Sequence, residues 1–224
     1  MKRALILATT SRHKQEELQA IFAHVGIALE LPTSLPEVVE DKDTFAKNAE
    51  LKAKTIALFL NRPVLADDSG LEVVALGGAP GVYSARYATM MNLGRAVPES
   101  ASSAPPLGRD EANLRKLIHN LGGIAEDKRQ ARFVCALSFF DPTWVHPQSG
   151  ANGLEYTTTG TLEGTMITEP RGKNGFGYDP IFVPTGLSHT LAEISAEQKN
   201  ECSHRARAAE TMASWLIKNW LNRP

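Results

Sequence analysis

The sequence predicts an α/β fold. Short apolar runs of strand length alternate with stretches whose apolar residues recur every three or four positions, and no internal repeat interrupts the alternation. At 224 residues the chain is long enough to bury one sizeable core, and no linker is long enough to demand independent domains. Residues 3–8 read as a buried strand, the stripe Leu18, Ile21, Phe22 and Val25 as a helix, and residues 28–31 as a second strand. Phe45, Ala49, Ile56 and Leu60 mark the next helix, capped at Asp43 or Thr44. Pro63-Val64-Leu65-Ala66 is a short buried strand that runs into Asp67-Asp68-Ser69-Gly70. Leu114, Leu117, Ile118 and Leu121 predict a helix closed by Gly122-Gly123. Residues 133–140 are apolar enough for a central strand, and residues 156–167 read as a strand or hairpin with threonines on one face. The last helix opens at a Ser203 cap and carries the stripe Ala209, Met212, Leu216 and Trp220. Residues 90–108, rich in Ser, Pro and Ala, and residues 141–153, an extended hairpin tip, read as surface insertions.

Two helices place a cation where an apolar residue belongs. Arg205 falls on the Ala209 stripe one turn earlier, and Lys52 sits mid-stripe in the Phe45 helix with Asn48 beside it. Each alone reads as a side chain snorkelling over apolar neighbours. Two cationic groups aimed inward from separate helices point instead to a phosphate-lined cleft. Carboxylates supply the complementary chemistry. Asp67 and Asp68 follow a strand, where open α/β sheets place ligands, and Glu40 lies just before the Lys52 helix. Neighbouring strand residues face opposite ways, so one of the two aspartates is expected in the site. Hard oxygen donors beside a polyphosphate suit Mg²⁺. Taken alone, Asp-Asp-Ser-Gly also reads as a turn whose side chains bond their own backbone. Phe176, flanked by Gly175 and Gly177 and followed by Tyr178 and Asp179, is the candidate for stacking on a flat ring.

These residues carry a family resemblance. The run from Ala66-Asp67-Asp68-Ser69-Gly70-Leu71 through Gly77-Gly78-Ala79-Pro80-Gly81-Val82-Tyr83-Ser84-Ala85-Arg86-Tyr87 resembles the signature of the inosine triphosphatase (Ham1/RdgB-like) non-canonical purine nucleoside triphosphate pyrophosphatases. Leu7-Ala8-Thr9-Thr10-Ser11 with Lys14, the Thr44-Phe45 helix with Asn48-Ala49, Gly175-Phe176-Gly177-Tyr178-Asp179-Pro180-Ile181-Phe182, and Lys199 with Ser203-His204-Arg205 match in the same order. Ser11 stands where the family usually has asparagine. The resemblance implies a single domain over residues 1–224, with two lobes around a long mixed twisted sheet flanked by helices and an active-site cleft between the lobes. It further implies a homodimer. It implies Mg²⁺-dependent hydrolysis of ITP, dITP or XTP to the monophosphate and pyrophosphate, with Asp68 as general base and Glu40 and Asp68, with Asp67 as a contributor, holding the metal. Substrate contacts are implied for Thr9, Thr10, Ser11, Lys14, Lys52, Ser69, Phe176, Gly177, Tyr178, Asp179, Lys199, His204 and Arg205. Arg205 and His204 can donate to the 6-carbonyl of hypoxanthine or xanthine, whereas an adenine amino group would set donor against donor.

Composition narrows the alternatives. Lys and Arg total 24 against 25 Asp and Glu, so no basic field of the kind that holds nucleic acid is present. The two cysteines, Cys135 and Cys202, make no disulfide framework, and the apolar run at residues 4–8 is too short for a signal-peptide core or a membrane span. A cytoplasmic enzyme that binds neither nucleic acid nor membrane is the expectation. His13, His24, His119, His146 and His189 lack the spacing of a zinc site. A pyrophosphatase with Maf-like specificity for other modified nucleotides, and a non-catalytic nucleotide-binding module, stay open.

Overall fold

The structure, a computed structural model, describes residues 4–90, 108–146, 150 and 152–222. Most of the 90–108 segment and the tip of the 141–153 segment therefore lie outside the described residues. The architecture is α/β. A mixed sheet of six strands runs in the order β2-β1-β3-β4-β5-β6, with β1 Leu5–Ala8, β2 Leu29–Glu30, β3 Val64–Val73, β4 Gln130–Val145, β5 Asn152–Met166 and β6 Phe182–Pro184. Strand β1 pairs in parallel with β2 and β3, with Leu7 opposite Leu65, while β5 and β6 are antiparallel, with Thr165 opposite Val183. Helices are α1 Arg12–His24, α2 Phe45–Leu60, α3 Arg109–Leu121, α4 Ala196–Cys202 and α5 His204–Leu216. By contact density the chain divides into two compact units, one of Met1–Ser69, Phe133–Leu162 and Ala196–Pro224, the other of Gly70–Arg132 and Glu163–Ser195.

In the first unit the period-2 alternation of the strands sorts the core into two faces. Leu5, Leu7, Leu65, Cys135, Leu137 and Phe139 pack with Leu18 and Phe22 of α1 and with Ala209, Met212, Leu216 and Trp220 on and beyond α5. Ile6, Ala8, Val64 and Ala66 face the other way, onto Ala53, Ile56 and Ala57 of α2. Both expected caps are present: Thr44 Oγ1 accepts from Lys47 N, and Ser203 Oγ accepts from Ala206 N. Trp220 is fully buried and donates its indole N–H to Asp141 at 2.8 Å, a charge-assisted bond that fixes the end of the chain on β4.

In the second unit α3 packs on the 3₁₀ segment Gly81–Thr89, where Asn113 accepts from Ala88 N and Asn120 donates to the Tyr87 hydroxyl.

Strands β3, β4 and β5 exceed their predicted lengths, whereas β1 and β2 are shorter than the predicted 3–8 and 28–31. The four-residue apolar run expected at 63–66 is the first part of a ten-residue strand, so Asp67 and Asp68 lie inside β3 and not in a turn beyond it. Gly70 explains the misreading. A Cβ there would lie 2.3 Å from Ser84 Oγ and 2.8 Å from the Gly81 carbonyl, so this glycine permits close approach of the Gly81 segment, and Ser84 Oγ in turn accepts from Leu71 N. The 141–153 insertion likewise begins and ends as strand, with β4 reaching Val145 and β5 starting at Asn152.

Candidate active site

The alternation that sorts the core also separates the two aspartates. Asp67 shares its face with Leu65, toward α1, and is fully buried; its Oδ2 meets Lys14 Nζ of α1 at 2.7 Å. Asp68 shares its face with Ala66, toward α2, where Asn48 Nδ2 donates to its Oδ2 at 3.0 Å. Burial pushes the Asp67 carboxyl up, but the Lys14 charge, followed by Lys52, the hydrogen bond from Lys14 and then Arg205, outweighs it and holds Asp67 down to about 2. For Asp68 burial dominates and the like charge of Glu40 adds to it; Lys14, Asn48 and Lys52 offset only part, leaving Asp68 at about 6. One carboxylate thus stays ionised at neutral pH, while the other titrates closer to neutrality.

Lys52 is the cation of the Asp68 side. Its Nζ lies 2.5 Å from Glu40 Oε1, with both side chains mostly buried. Burial works against its charge, yet Asp67, Glu40 and Asp68 together raise its pKa. Asn48, fully buried, also accepts from Lys42 N, so the same amide that steadies Asp68 ties down the segment entering α2.

The first loop is organised by Thr9, whose carbonyl accepts from Gln15 Nε2 at 2.7 Å and whose hydroxyl accepts from Ser11 N at 3.4 Å. Ser11 is the N-cap of α1 but makes no side-chain cap bond, and the first turn carries no acid. That turn suits an anion, since the positive end of the helix dipole lies there.

A fourth acid, not among those the sequence singles out, organises the other cations. Glu17 of α1 receives Lys199 Nζ of α4 on Oε1 at 2.7 Å and Arg205 Nη1 of α5 on Oε2 at 2.8 Å. Burial opposes its charge, but Arg205 and then Lys199 keep its pKa below the usual carboxylate value. Glu17 lies one helical turn after Lys14, on the same side of α1, and that spacing was its available signal. Arg205 also donates from Nη2 to Ser69 Oγ at 3.3 Å, which brings Ser69 into the group.

His204 is almost fully buried and stacked on Phe133, ring centroids 4.8 Å apart and 11° from parallel. Burial, then the charges of Arg205, Lys199 and Lys14, hold its pKa well below the usual value, so the ring is neutral. Neither ring nitrogen has a hydrogen-bond partner among the described residues. Helix α5 is seated close to β5 through Gly160, where a Cβ would lie 2.3 Å from the His204 carbonyl and 2.5 Å from Ala208 N.

The structure therefore gathers Thr9, Ser11, Lys14, Glu40, Lys52, Asp67, Asp68, Ser69, Lys199, His204 and Arg205, with exposed Thr10 in the same loop, into one unit. Phe176, Gly177, Tyr178 and Asp179 belong to the other. There Asp179 is buried and its Oδ2 accepts from Phe176 N at 2.9 Å, while the Tyr178 hydroxyl donates to the Ser84 carbonyl at 2.9 Å. Gly177 takes φ +61°, and Gly175, at φ +72°, has no room for a Cβ beside the Asp179 carboxylate. The side chains of Tyr178 and Asp179 thus hold the loop, and Phe176 is the half-buried member.

The donor set fits a divalent ion of the Mg²⁺ type. Asp68 and Glu40 are hard oxygen donors close enough for one charge to raise the other's pKa, and among the described residues no three His, Cys, Asp or Glu converge on a metal position. An ion held by two carboxylates and otherwise by water and phosphate oxygens is the arrangement Mg²⁺ favours. Asp67 is engaged with Lys14 on the opposite face.

The chain is similar to known proteins over nearly its whole length. A sequence model described as the Ham1 family matches residues 5–215. A dITP/XTP pyrophosphatase of Listeria monocytogenes is 42% identical over 219 residues, covering 96% of this chain and 95% of the relative. One of Shouchella clausii is 39% identical, covering 96% and 98%. Among solved structures, the Ham1 protein of Staphylococcus aureus superposes with a TM-score of 0.73 at 36% identity, covering 96% of this chain and 99% of that one. A HAM1 protein from Coxiella burnetii gives a TM-score of 0.74 at 33% identity, again covering 96% and 99%. With the acidic pair of β3, the lysines of α1 and α2 and the Ser203-His204-Arg205 start of α5 all in place, the chain belongs to the Ham1 family.

Proposed function

We propose that this protein hydrolyses dITP, XTP and ITP to the nucleoside monophosphate and pyrophosphate, removing non-canonical purines from the nucleotide pool. The observation that carries this reading is the split of Asp67 and Asp68, which leaves one buried carboxylate beside Glu40 and Lys52 with a pKa of about 6. Such a group is matched to accepting a proton from water near neutral pH. Lys14, Lys52, Lys199 and the first turn of α1 neutralise the phosphates, so catalysis is positioning and charge stabilisation rather than covalent chemistry. Mg²⁺ would rest on Asp68 and Glu40, and when bound it supplies Lewis-acid neutralisation of phosphate oxygens. Asp67 serves as the counter-ion of Lys14 and not as a metal ligand, because β3 turns it to the other face.

Arg205 donates to the 6-carbonyl of the base. His204, neutral and buried, offers one N–H and one lone pair, and an adenine amino group would leave Arg205 facing a donor. Phe176 is the stacking ring, carried on backbone that Tyr178 and Asp179 hold in place. By the same resemblance the protein works as a cytoplasmic homodimer; among the described residues no helix is long and apolar enough to cross a membrane. Pyrophosphate release should be followed with dITP, XTP, ITP, dGTP and ATP, with and without Mg²⁺. Fast release from dITP, XTP and ITP alone is expected. Orthophosphate as the product, or ATP turned over as fast as dITP, would overturn the reading.

A further inference from the structure

We propose that Glu17 is a positioning residue that couples the phosphate end of the site to the base end. The inference rests on the pyrophosphatase reading above and deepens it. Glu17 stands on α1, Lys199 on α4 and Arg205 on α5, and its carboxylate divides its two oxygens between them, 2.7 Å to Lys199 and 2.8 Å to Arg205. Side-chain exposure is 15% for Glu17 and 5% for each cation, so water screens the arrangement little.

Two like charges sharing a dry corner repel, and each is borne by a long side chain with several rotors. The carboxylate removes the repulsion and selects one rotamer for each side chain. It thereby fixes the spacing between the ammonium expected at phosphate and the guanidinium expected at the base. Arg205 is further fixed by Ser69, the residue after Asp68, so the same fork is referenced to β3. Glu17 needs no contact with the nucleotide to do this. Its effect on base choice passes through Arg205, and its effect on triphosphate binding through Lys199.

A glutamine at this position keeps the shape but offers one acceptor and one donor, so it cannot face two cations. An aspartate keeps the charge but is one methylene too short to span both. The decisive measurement is a double-mutant cycle with Glu17→Gln and Arg205→Ala, read as the ratio of kcat/KM for dITP to that for dATP. Glu17→Gln in the otherwise native protein should lower that ratio by roughly tenfold or more, the loss of a hydrogen bond to a charged group. In the Arg205→Ala background the same substitution should leave the ratio unchanged. Glu17→Asp should recover part of kcat but not the ratio.

Full additivity of the two substitutions would overturn the proposal, because Glu17 would then act on the substrate independently of Arg205. A fall in melting temperature with an unchanged dITP-to-dATP ratio would also overturn it, leaving Glu17 a helix tie. If the native protein releases no pyrophosphate from dITP or XTP, the pyrophosphatase reading itself fails. The same cycle, read by calorimetry as the ratio of dITP to dATP binding constants, then decides the role of Glu17 by the same criteria.

Discussion

Replacing Lys52 by methionine tests whether the stripe lysine of α2 is a snorkelling side chain or a charge the fold depends on. Judged from the helix alone the change should be neutral or favourable, since methionine continues the apolar stripe. The structure argues otherwise. Lys52 Nζ is 2.5 Å from Glu40, and Asp67 and Asp68 also feel its charge. Breaking one side of a buried ion pair costs about 3–5 kcal/mol. Glu40 retains 28% side-chain exposure, which places this case lower, and Asp68, at about 6, can relieve repulsion by taking a proton at pH 7 for about 1.4 kcal/mol. A loss of about 2–3 kcal/mol follows, or a melting temperature lower by about 4–12 °C for a chain of this length.

The loss has a pH signature. A carboxyl whose folded pKa is raised contributes stability at low pH that disappears as pH rises through the folded value. Without Lys52 the Asp68 value rises further, so the gap between native and variant should widen from pH 5 to pH 7.5. Thermal melts in metal-free buffer at both pH values measure it. An unchanged or raised melting temperature, or a gap independent of pH, would show that the three carboxylates do not rely on Lys52.

Asp68→Asn should lower turnover by at least about 10²-fold, the worth of a general base, with no loss of melting temperature. Near-native activity would move the role to another group. His204→Phe should keep the stack on Phe133 while removing a buried imidazole that stays neutral in the fold. Because the unfolded chain binds a proton there below its ordinary value of about 6.5 and the folded chain does not, the native protein should lose about 1.4 kcal/mol per pH unit in that acid range. The variant's urea-derived stability should fall less steeply between pH 6.5 and 5 by that amount; equal slopes would mean that the buried ring is protonated in the fold.

Much of the fold was legible because its signals are local. The Thr44 and Ser203 caps, the α2 and α5 stripes and the inward Arg205 follow from spacing of three and four, and the structure bears each out. The lengths of β3, β4 and β5 were not legible, because Ser69-Gly70 and Asn152-Gly153 carry turn chemistry that tertiary packing overrides. Gly70 is required by the approach of Ser84, which lies far along the chain. Glu17 was hidden for the same reason. Within Arg12–His24 it is one acid in a polar helix, and its importance depends on Lys199 and Arg205, more than 180 residues away in sequence. The two cations that the sequence predicts to be aimed inward, Lys52 and Arg205, are engaged by carboxylates.

That engagement bears on the metal. Lys14, Lys52, Lys199 and Arg205 are matched within the first unit by Asp67, Glu40 and Glu17, and Asp68 makes the fourth anion. With Asp68 ionised the cluster is neutral, so a triphosphate would bring several negative charges into a place with no surplus positive charge. In a poorly screened interior such an imbalance costs more than the hydrogen bonds to phosphate return. A divalent cation held by Asp68 and Glu40 would reduce the deficit and would leave Lys52 able to turn from Glu40 to phosphate. Calorimetric binding of dITP to the Asp68→Asn variant is therefore not expected to match binding to the native protein with Mg²⁺, because the variant would lose a proposed metal ligand together with a charge. In native protein stripped with EDTA, dITP affinity should fall by at least about tenfold, the equivalent of about 1.4 kcal/mol. Equal affinity with and without the divalent ion would mean that the lysines alone carry the phosphates and that the carboxylate partners give them up without cost.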